Sequence, residues 1–180
     1  MIRGPFSAGE NSILKMGSKI YGATTLGPHC VAGGEIKNTV MFGYSNKAHD
    51  GYLGDSVIGE WCNLGAGTSN SNVKNTGSAV KYLVNKNKKE ITTGNKGGLL
   101  MGDYSRAAIN TSFNTGTIVG VCCNIFGAMP PKFLQNFSWG NERYIFEKAL
   151  ADIGNWKKMK RQELTASEIK MLSNLYSNNL

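Results

Sequence analysis

Ala8-Gly9-Glu10-Asn11-Ser12-Ile13, Leu14-Lys15-Met16-Gly17-Ser18-Lys19, Ile20-Tyr21-Gly22-Ala23-Thr24-Thr25 and Leu26-Gly27-Pro28-His29-Cys30-Val31 are four successive sixes with one rule. The first place is aliphatic or Ala, and the fifth is small. After an irregular stretch from Ala32 to Asp50 the rule resumes in a shifted frame at Tyr52, Ile58 and Leu64, with Ser56, Cys62 and Thr68 in fifth places. It breaks again from Ser69 to Gly98. It then returns at Met101, Ala107, Phe113, Val119 and Ile125, with Ser105, Thr111, Thr117 and Cys123 in fifth places. A period of six suits neither a 3.6-residue helix nor a sustained two-residue alternation. It suits short strands joined by tight turns, three to a triangular coil, each coil paired with the next through a parallel ladder about 4.8 Å apart. The fold class expected is therefore all-β, a parallel β-helix over residues 1–129 interrupted by an excursion at 69–98. First places fill the prism interior and fifth places let the chain turn. Cys30, Cys62 and Cys123 all stand in fifth places, which reads as packing rather than redox chemistry.

Composition divides the chain at the same point. Of its 23 glycines, all but Gly140 and Gly154 lie at or before Gly127, so two architectures share 180 residues. With 41% hydrophobic residues in the whole chain and no Gly-X-Y phase, the first part is neither a disordered linker nor collagen. No stretch approaches the roughly 20 apolar residues of a bilayer span, and the N-terminus lacks the order of a signal peptide. A cytoplasmic location with no membrane partner is expected. The four cysteines show no CxxC pair and no His/Cys ligand spacing, so no metal site is expected. The net charge of +8 favours anionic partners. It comes mainly from Lys74 to Lys96 and Lys157 to Arg161, without the aromatic interleaving of a nucleic-acid platform, and nucleic acid is not expected as a partner.

After Pro130-Pro131, residues 130–140 read as an exit loop and 141–180 as helices. Tyr144, Ala149, Ile153 and Trp156 mark an apolar stripe, and Lys157, Lys158, Lys160 and Arg161 near the helix end read as a solvated basic face or, alternatively, as a contact for coenzyme phosphates. A second helix is expected from Thr165, with Glu168 completing a capping box and Ile169, Leu172 and Leu175 or Tyr176 buried.

In a solenoid the departures from the repeat are where function usually resides. There are two, Glu35 to Asp55 and Ser69 to Gly98. The second carries Lys74, Lys81, Lys86, Lys88, Lys89 and Lys96 against Glu90, and reads either as a solvated loop or as a flap over an anionic ligand. Of the two histidines, His29 sits in a regular hexad at an exposed turn. His49 lies between the irregular stretch and the restored repeat, beside Asp50. Gly65-Ala66-Gly67 is a hexad corner with no P-loop Lys-Ser/Thr behind it, so it is not a nucleotide loop.

The hexads resemble those of the hexapeptide-repeat transferases. Glu35-Ile36-Lys37 twelve residues before His49, then Tyr52-Leu53-Gly54-Asp55, then Asn63-Leu64-Gly65-Ala66-Gly67-Thr68, then Asn72, is similar to the acetyltransferase half of one family. That family is the bifunctional glucosamine-1-phosphate acetyltransferases and N-acetylglucosamine-1-phosphate uridyltransferases. The wider wording, MIRGPF, KMGSKIYG, GYSNKAHDGYLGDS, MGDYSR and FNTGT, resembles a bacterial subfamily of sugar nucleotidyltransferase-like proteins.

The resemblance implies a left-handed β-helix, an exception to the usual crossover rule. It implies a homotrimer with sites between prisms, a sugar phosphate or nucleotide sugar as ligand, and acetyl-coenzyme A as co-substrate. In that reading His49 is the catalytic base. Lys37, Tyr52 and Asn63 hold the sugar phosphate, with Lys81 adding positive charge. Lys19 stands where the family has an Arg. Asn72 lies near the thioester, a backbone N–H near Ala108 serves the oxyanion, and Ile109 stands where the family has a Ser on the coenzyme-binding coil. The hexad frame runs back to Met1 without a cap, so the chain is expected to be the C-terminal part of a longer protein with an N-terminal nucleotidyltransferase domain. The alternative is a non-catalytic β-helix that trimerises or regulates such a nucleotidyltransferase.

Overall fold

A computed structural model describes residues 1–84 and 89–178. Short parallel strands stack on three faces into a β-solenoid of about seven turns, followed by two helices. The first face runs through Ile2–Arg3, Lys19–Tyr21, Glu35–Lys37 and Tyr52–Gly54, and is continued by Ser69–Asn70 paired with Ser112–Phe113. The second carries seven strands from Phe6–Ala8 to Phe133–Leu134. The third runs from Ile13–Leu14 to Ser138–Trp139 and ends on the antiparallel strand Glu142–Arg143. This is the parallel β-helix that the sixes predict.

Inward side chains show how the frame shifts arise. Ile20, Leu26 and Ala32 are buried six residues apart, then Ile36 and Met41 at closer and uneven steps, then Lys47, Leu53, Ile58 and Leu64. The stretch from Glu35 to Asp55 is thus no departure from the solenoid. It is a full coil with shortened corners, paired on both sides. Leu53 points inward and Tyr52 is only half-buried, so the true inward place is one residue after the one the frame marks. Each aliphatic side chain taken inside contributes roughly 1.5–3 kcal/mol. The fifth places do more than save space. Ser45 Oγ donates to Gly59 O (2.6 Å) and Ser105 Oγ to Gly120 O (2.7 Å), while Cys30 and Cys62 Sγ reach the carbonyls of Phe42 and Gly102. A small donor there ties one coil's corner to the next.

The chain leaves the solenoid after Asn70 and rejoins it at Leu99. Between them Lys81–Leu83 and Glu90–Thr92 form an antiparallel hairpin, whose Tyr82 is buried together with the preceding Val80. Lys86 and Lys88, counted in the basic excursion, lie outside the described residues. Residues 130–140 are not an exit loop. Phe133–Leu134 and Ser138–Trp139 pair with the coil below, and Phe137 takes the left-handed corner conformation (φ 58°). A shortened corner at Pro130-Pro131 again hides the period.

The arm consists of α1 (Phe146–Met159) and α2 (Ala166–Ser177). Thr165 and Glu168 form the expected capping box, and Leu172 is buried while Ile169 is exposed. The basic run is not a solvated face throughout. Lys157 is buried, paired with Glu168 and lying 5.1 Å over the Trp61 ring. Lys160 Nζ donates to His29 O (2.9 Å) and Asn46 Oδ1 (3.1 Å) on the third face. His29 is half-buried rather than exposed, stacked on Tyr44 (4.6 Å), which stacks on Trp61 (4.2 Å). These three rings share one left-handed corner column, and the arm docks along it.

Candidate functional site

His49 is exposed at the corner that joins the third face to the first, between Asn46–Lys47 and Tyr52–Gly54. The corner is tight. Gly51 has φ 115°, and a Cβ there would lie 2.1 Å from Thr68 O, so only glycine lets the coils approach. Asp50 is also exposed; its carbonyl accepts from Gly67 N–H (3.0 Å) of the next coil.

On the third-face side His49 borders a groove of about 650 Å³ with Lys15, Met16, Asp50, Ile109 and Asn110. The groove continues into a space of about 510 Å³ bordered by Asn46, Asn63 and Lys160. Met16 and Ile109 are 100% and 68% exposed and give it apolar walls, while Lys15 and Lys160 put ammonium groups on its border. Desolvation lowers the Lys160 amine below its ordinary value. Of the residues expected from the sequence, this groove brings together His49, Asn63 and Ile109.

A second cluster lies on the first face. Tyr52 OH accepts from Asn72 Nδ2 (3.0 Å), and the same amide donates to Asp55. Asp55 also accepts from Asn38 Nδ2 (3.1 Å). Burial, with the nearby Asp55 carboxylate, pushes the Tyr52 hydroxyl up to about 12, so it stays protonated as a donor. Lys37 is half-buried, with Nζ 5.5 Å from the centre of the Tyr21 ring, and Tyr21 OH donates to Glu35. Lys19 is exposed and adjoins Glu35 in the ladder. The turn His49-Asp50-Gly51 connects the two clusters.

Two expected roles meet different surroundings. Lys81 stands on the excursion hairpin in an ion pair with Glu90 (2.7 Å), not among the residues that border the groove. The Ala108 N–H donates to Ile125 O (2.8 Å) within the ladder, so an oxyanion would have to displace that bond. The sequence reading missed Lys15, Lys47 and Asp55. Lys15 and Asp55 lie in regular or motif positions where nothing marks them, and Lys47 falls where the frame is lost. Among the described residues no group of three or more His, Cys, Asp or Glu is placed to hold a metal ion, and no helix is long and apolar enough to cross a membrane.

No family model matches the chain. It is 36% identical over 89 residues, 49% of its length, to the bifunctional protein GlmU of Methanocaldococcus jannaschii. It is 37% identical over 93 residues, 51% of its length, to a bifunctional sugar-1-phosphate nucleotidylyltransferase/acetyltransferase of Sulfurisphaera tokodaii. Half of the chain is similar to these bifunctional proteins. A shorter match, 44% identical over 57 residues or 31% of the chain, is to the bifunctional protein GlmU of Rippkaea orientalis. The chain covers 21%, 23% and 13% of these three relatives, less than a quarter of each. The similarity and the stacked parallel coils agree with the hexapeptide-repeat resemblance read from the sequence.

Proposed function

We propose that this chain is the acetyltransferase-like C-terminal part of a sugar nucleotidyltransferase-like protein, acting as a trimer in the cytoplasm. In this reading it transfers an acetyl group from acetyl-coenzyme A to the amine of an amino-sugar-1-phosphate. The observation that carries it is the placing of His49 on one turn between an apolar groove rimmed by Lys15 and the Lys37/Tyr52/Asn72 cluster. Groove and cluster fit the two substrates: apolar walls with ammonium groups for a coenzyme arm and its phosphates, and Lys37 with the Tyr52 hydroxyl for a sugar phosphate. His49 accepts the proton that the attacking amine loses as its nitrogen bonds to the thioester carbonyl. The thiolate then leaves and is protonated. With the Ala108 amide engaged, the developing negative charge falls to side chains of the groove, of which Asn63 is a donor.

Thiol release from acetyl-coenzyme A with glucosamine-1-phosphate, wild type against His49→Ala, tests the proposal. A loss of about 10²- to 10⁴-fold in the variant is expected. No turnover by the folded wild type would overturn it. The engaged Ala108 amide favours a second reading, a non-catalytic trimerising or regulatory domain that senses a sugar phosphate or nucleotide sugar. Calorimetric binding of those ligands without turnover would select it.

A further inference from the structure

Lys47 stands in an inward place of the third face, level in the ladder with Ala32 and one coil below Leu64, and it is 0% exposed. Apolar side chains occupy the equivalent places of most coils, and Met41 and Met101 show that a long unbranched one fits the prism. Burying an ammonium instead is costly, and burial lowers the Lys47 amine to about 8. Packing therefore does not explain the lysine. Its partners do. Nζ donates to the carbonyl of His49 and to that of Asp50 (3.0 Å). The Asp50 carbonyl is also tied to the next coil by Gly67 N–H. The His49 carbonyl is held from inside the prism by Lys47.

We propose that Lys47 is a positioning residue: from the solenoid interior its ammonium ties down the turn that carries His49 and so aims the imidazole into the groove. This rests on the reading of His49 as the base. Lys47→Met and Lys47→Leu remove the donor while keeping an inward side chain that other coils already use.

In the acetyl-transfer assay kcat falls about tenfold to a hundredfold in both variants, as a misplaced base requires, with KM for either substrate changed less than about threefold. The melting temperature stays level or rises, because replacing a buried charge by an apolar group is often neutral or stabilising. Amide exchange gives a readout independent of turnover. The Gly67 amide, bonded to the carbonyl that Lys47 shares, exchanges at least about tenfold faster in the variants, while Phe42, bonded to Ile58 O on the second face, does not change.

Unchanged kcat and unchanged Gly67 exchange would overturn the proposal. So would loss of the fold in both variants, which would make Lys47 a structural residue. If the wild type shows no turnover, the reading of His49 as a base fails by itself, and Gly67 exchange decides whether Lys47 orders the turn.

Discussion

Replacing Lys47 by Met should change how stability depends on pH, and the size and sign of the effect follow from where the amine sits. Its ordinary value is 10.5, and burial lowers it to about 8, with the Asp50 carboxylate, the charged neighbour at the same corner, acting in the opposite direction. Below about pH 8 the amine is charged in the folded and unfolded chain alike, and folding bears the full cost of burying the charge. Between about pH 8 and 10.5 the folded chain gives up a proton that the unfolded chain keeps, so folding gains stability as pH rises. At 1.36 kcal/mol per pH unit the gap from 10.5 to about 8 sets a ceiling of roughly 3 kcal/mol. Water at the exposed His49-Asp50 turn screens part of it, leaving roughly 2 kcal/mol. The total stability of the wild type need not rise over this window. Burial raises the thiols of Cys30, Cys62, Cys122 and Cys123, and groups whose folded values are raised lose stability as pH climbs through their unfolded values. The difference between Lys47→Met and wild type cancels those thiols. Urea unfolding of both proteins at several pH values from 7 to 10.5 should show the Met variant's relative stability falling by about 2 kcal/mol across the series, with equal m-values. A difference that stays flat within about 0.5 kcal/mol would refute the buried, charged lysine.

Asn70→Leu should destabilise by roughly 2 to 4 kcal/mol in urea, because Asn70 accepts from Gly54 N–H (2.8 Å) and donates to Gly54 O (3.0 Å) where the main chain turns away into the excursion; an effect below about 1 kcal/mol would contradict the pairing. Gly51→Ala should cost roughly 3 kcal/mol or more, since the new Cβ meets Thr68 O at a φ of 115°, and circular-dichroism melts should show it while a substitution at exposed Gly94 leaves the melt in place. At the arm, burial acts to raise the Glu168 carboxyl, but hydrogen bonds from Lys157, Thr165 and Tyr104 together hold it down to about 2. Its stabilising contribution is present above about pH 4.5 and is lost as pH falls through about 2. Glu168→Gln should therefore release the arm at neutral pH, seen as protease cleavage between α1 and α2, whereas the wild-type arm stays protected until strongly acid pH; equal protection at pH 7 would count against the anchor.

The solenoid was legible because a six-residue period survives wherever corners keep full length, as from Met101 to Ile125. It failed where corners shorten. Between Ala32 and Met41 two short steps carry the frame off, and a full coil reads as irregular; Pro130-Pro131 conceals the seventh turn in the same way. The capping box was legible because Thr165 and Glu168 form it within four residues. Ile169 misled because helical spacing gives a face, not which neighbour covers it. The His49 motif stood out through its spacing, yet the chain positions Asn63 and Ile109 on one side of His49 and Tyr52 and Asn72 on the other. Linear order does not reveal that division, because adjacent residues at a corner belong to different faces.

Two of the buried polar side chains, Lys47 and Asn70, are related by where they act. Lys47 holds the carbonyls of His49 and Asp50 just before strand Tyr52–Gly54, and Asn70 holds both backbone groups of Gly54 at its end. Outside the prism Asn72 and Asn38 clamp Asp55, the next residue along. The strand that carries Tyr52 is thereby fixed at both ends by side chains that a purely structural coil would make apolar. Buried polar groups cost stability unless satisfied, and here they are satisfied by the backbone of one strand and its corner. A repeat protein gains rigidity everywhere from its ladders. Beside the turn that presents His49 it accepts these costs, which is the pattern expected when precise placement of that turn matters more than the stability of its coil.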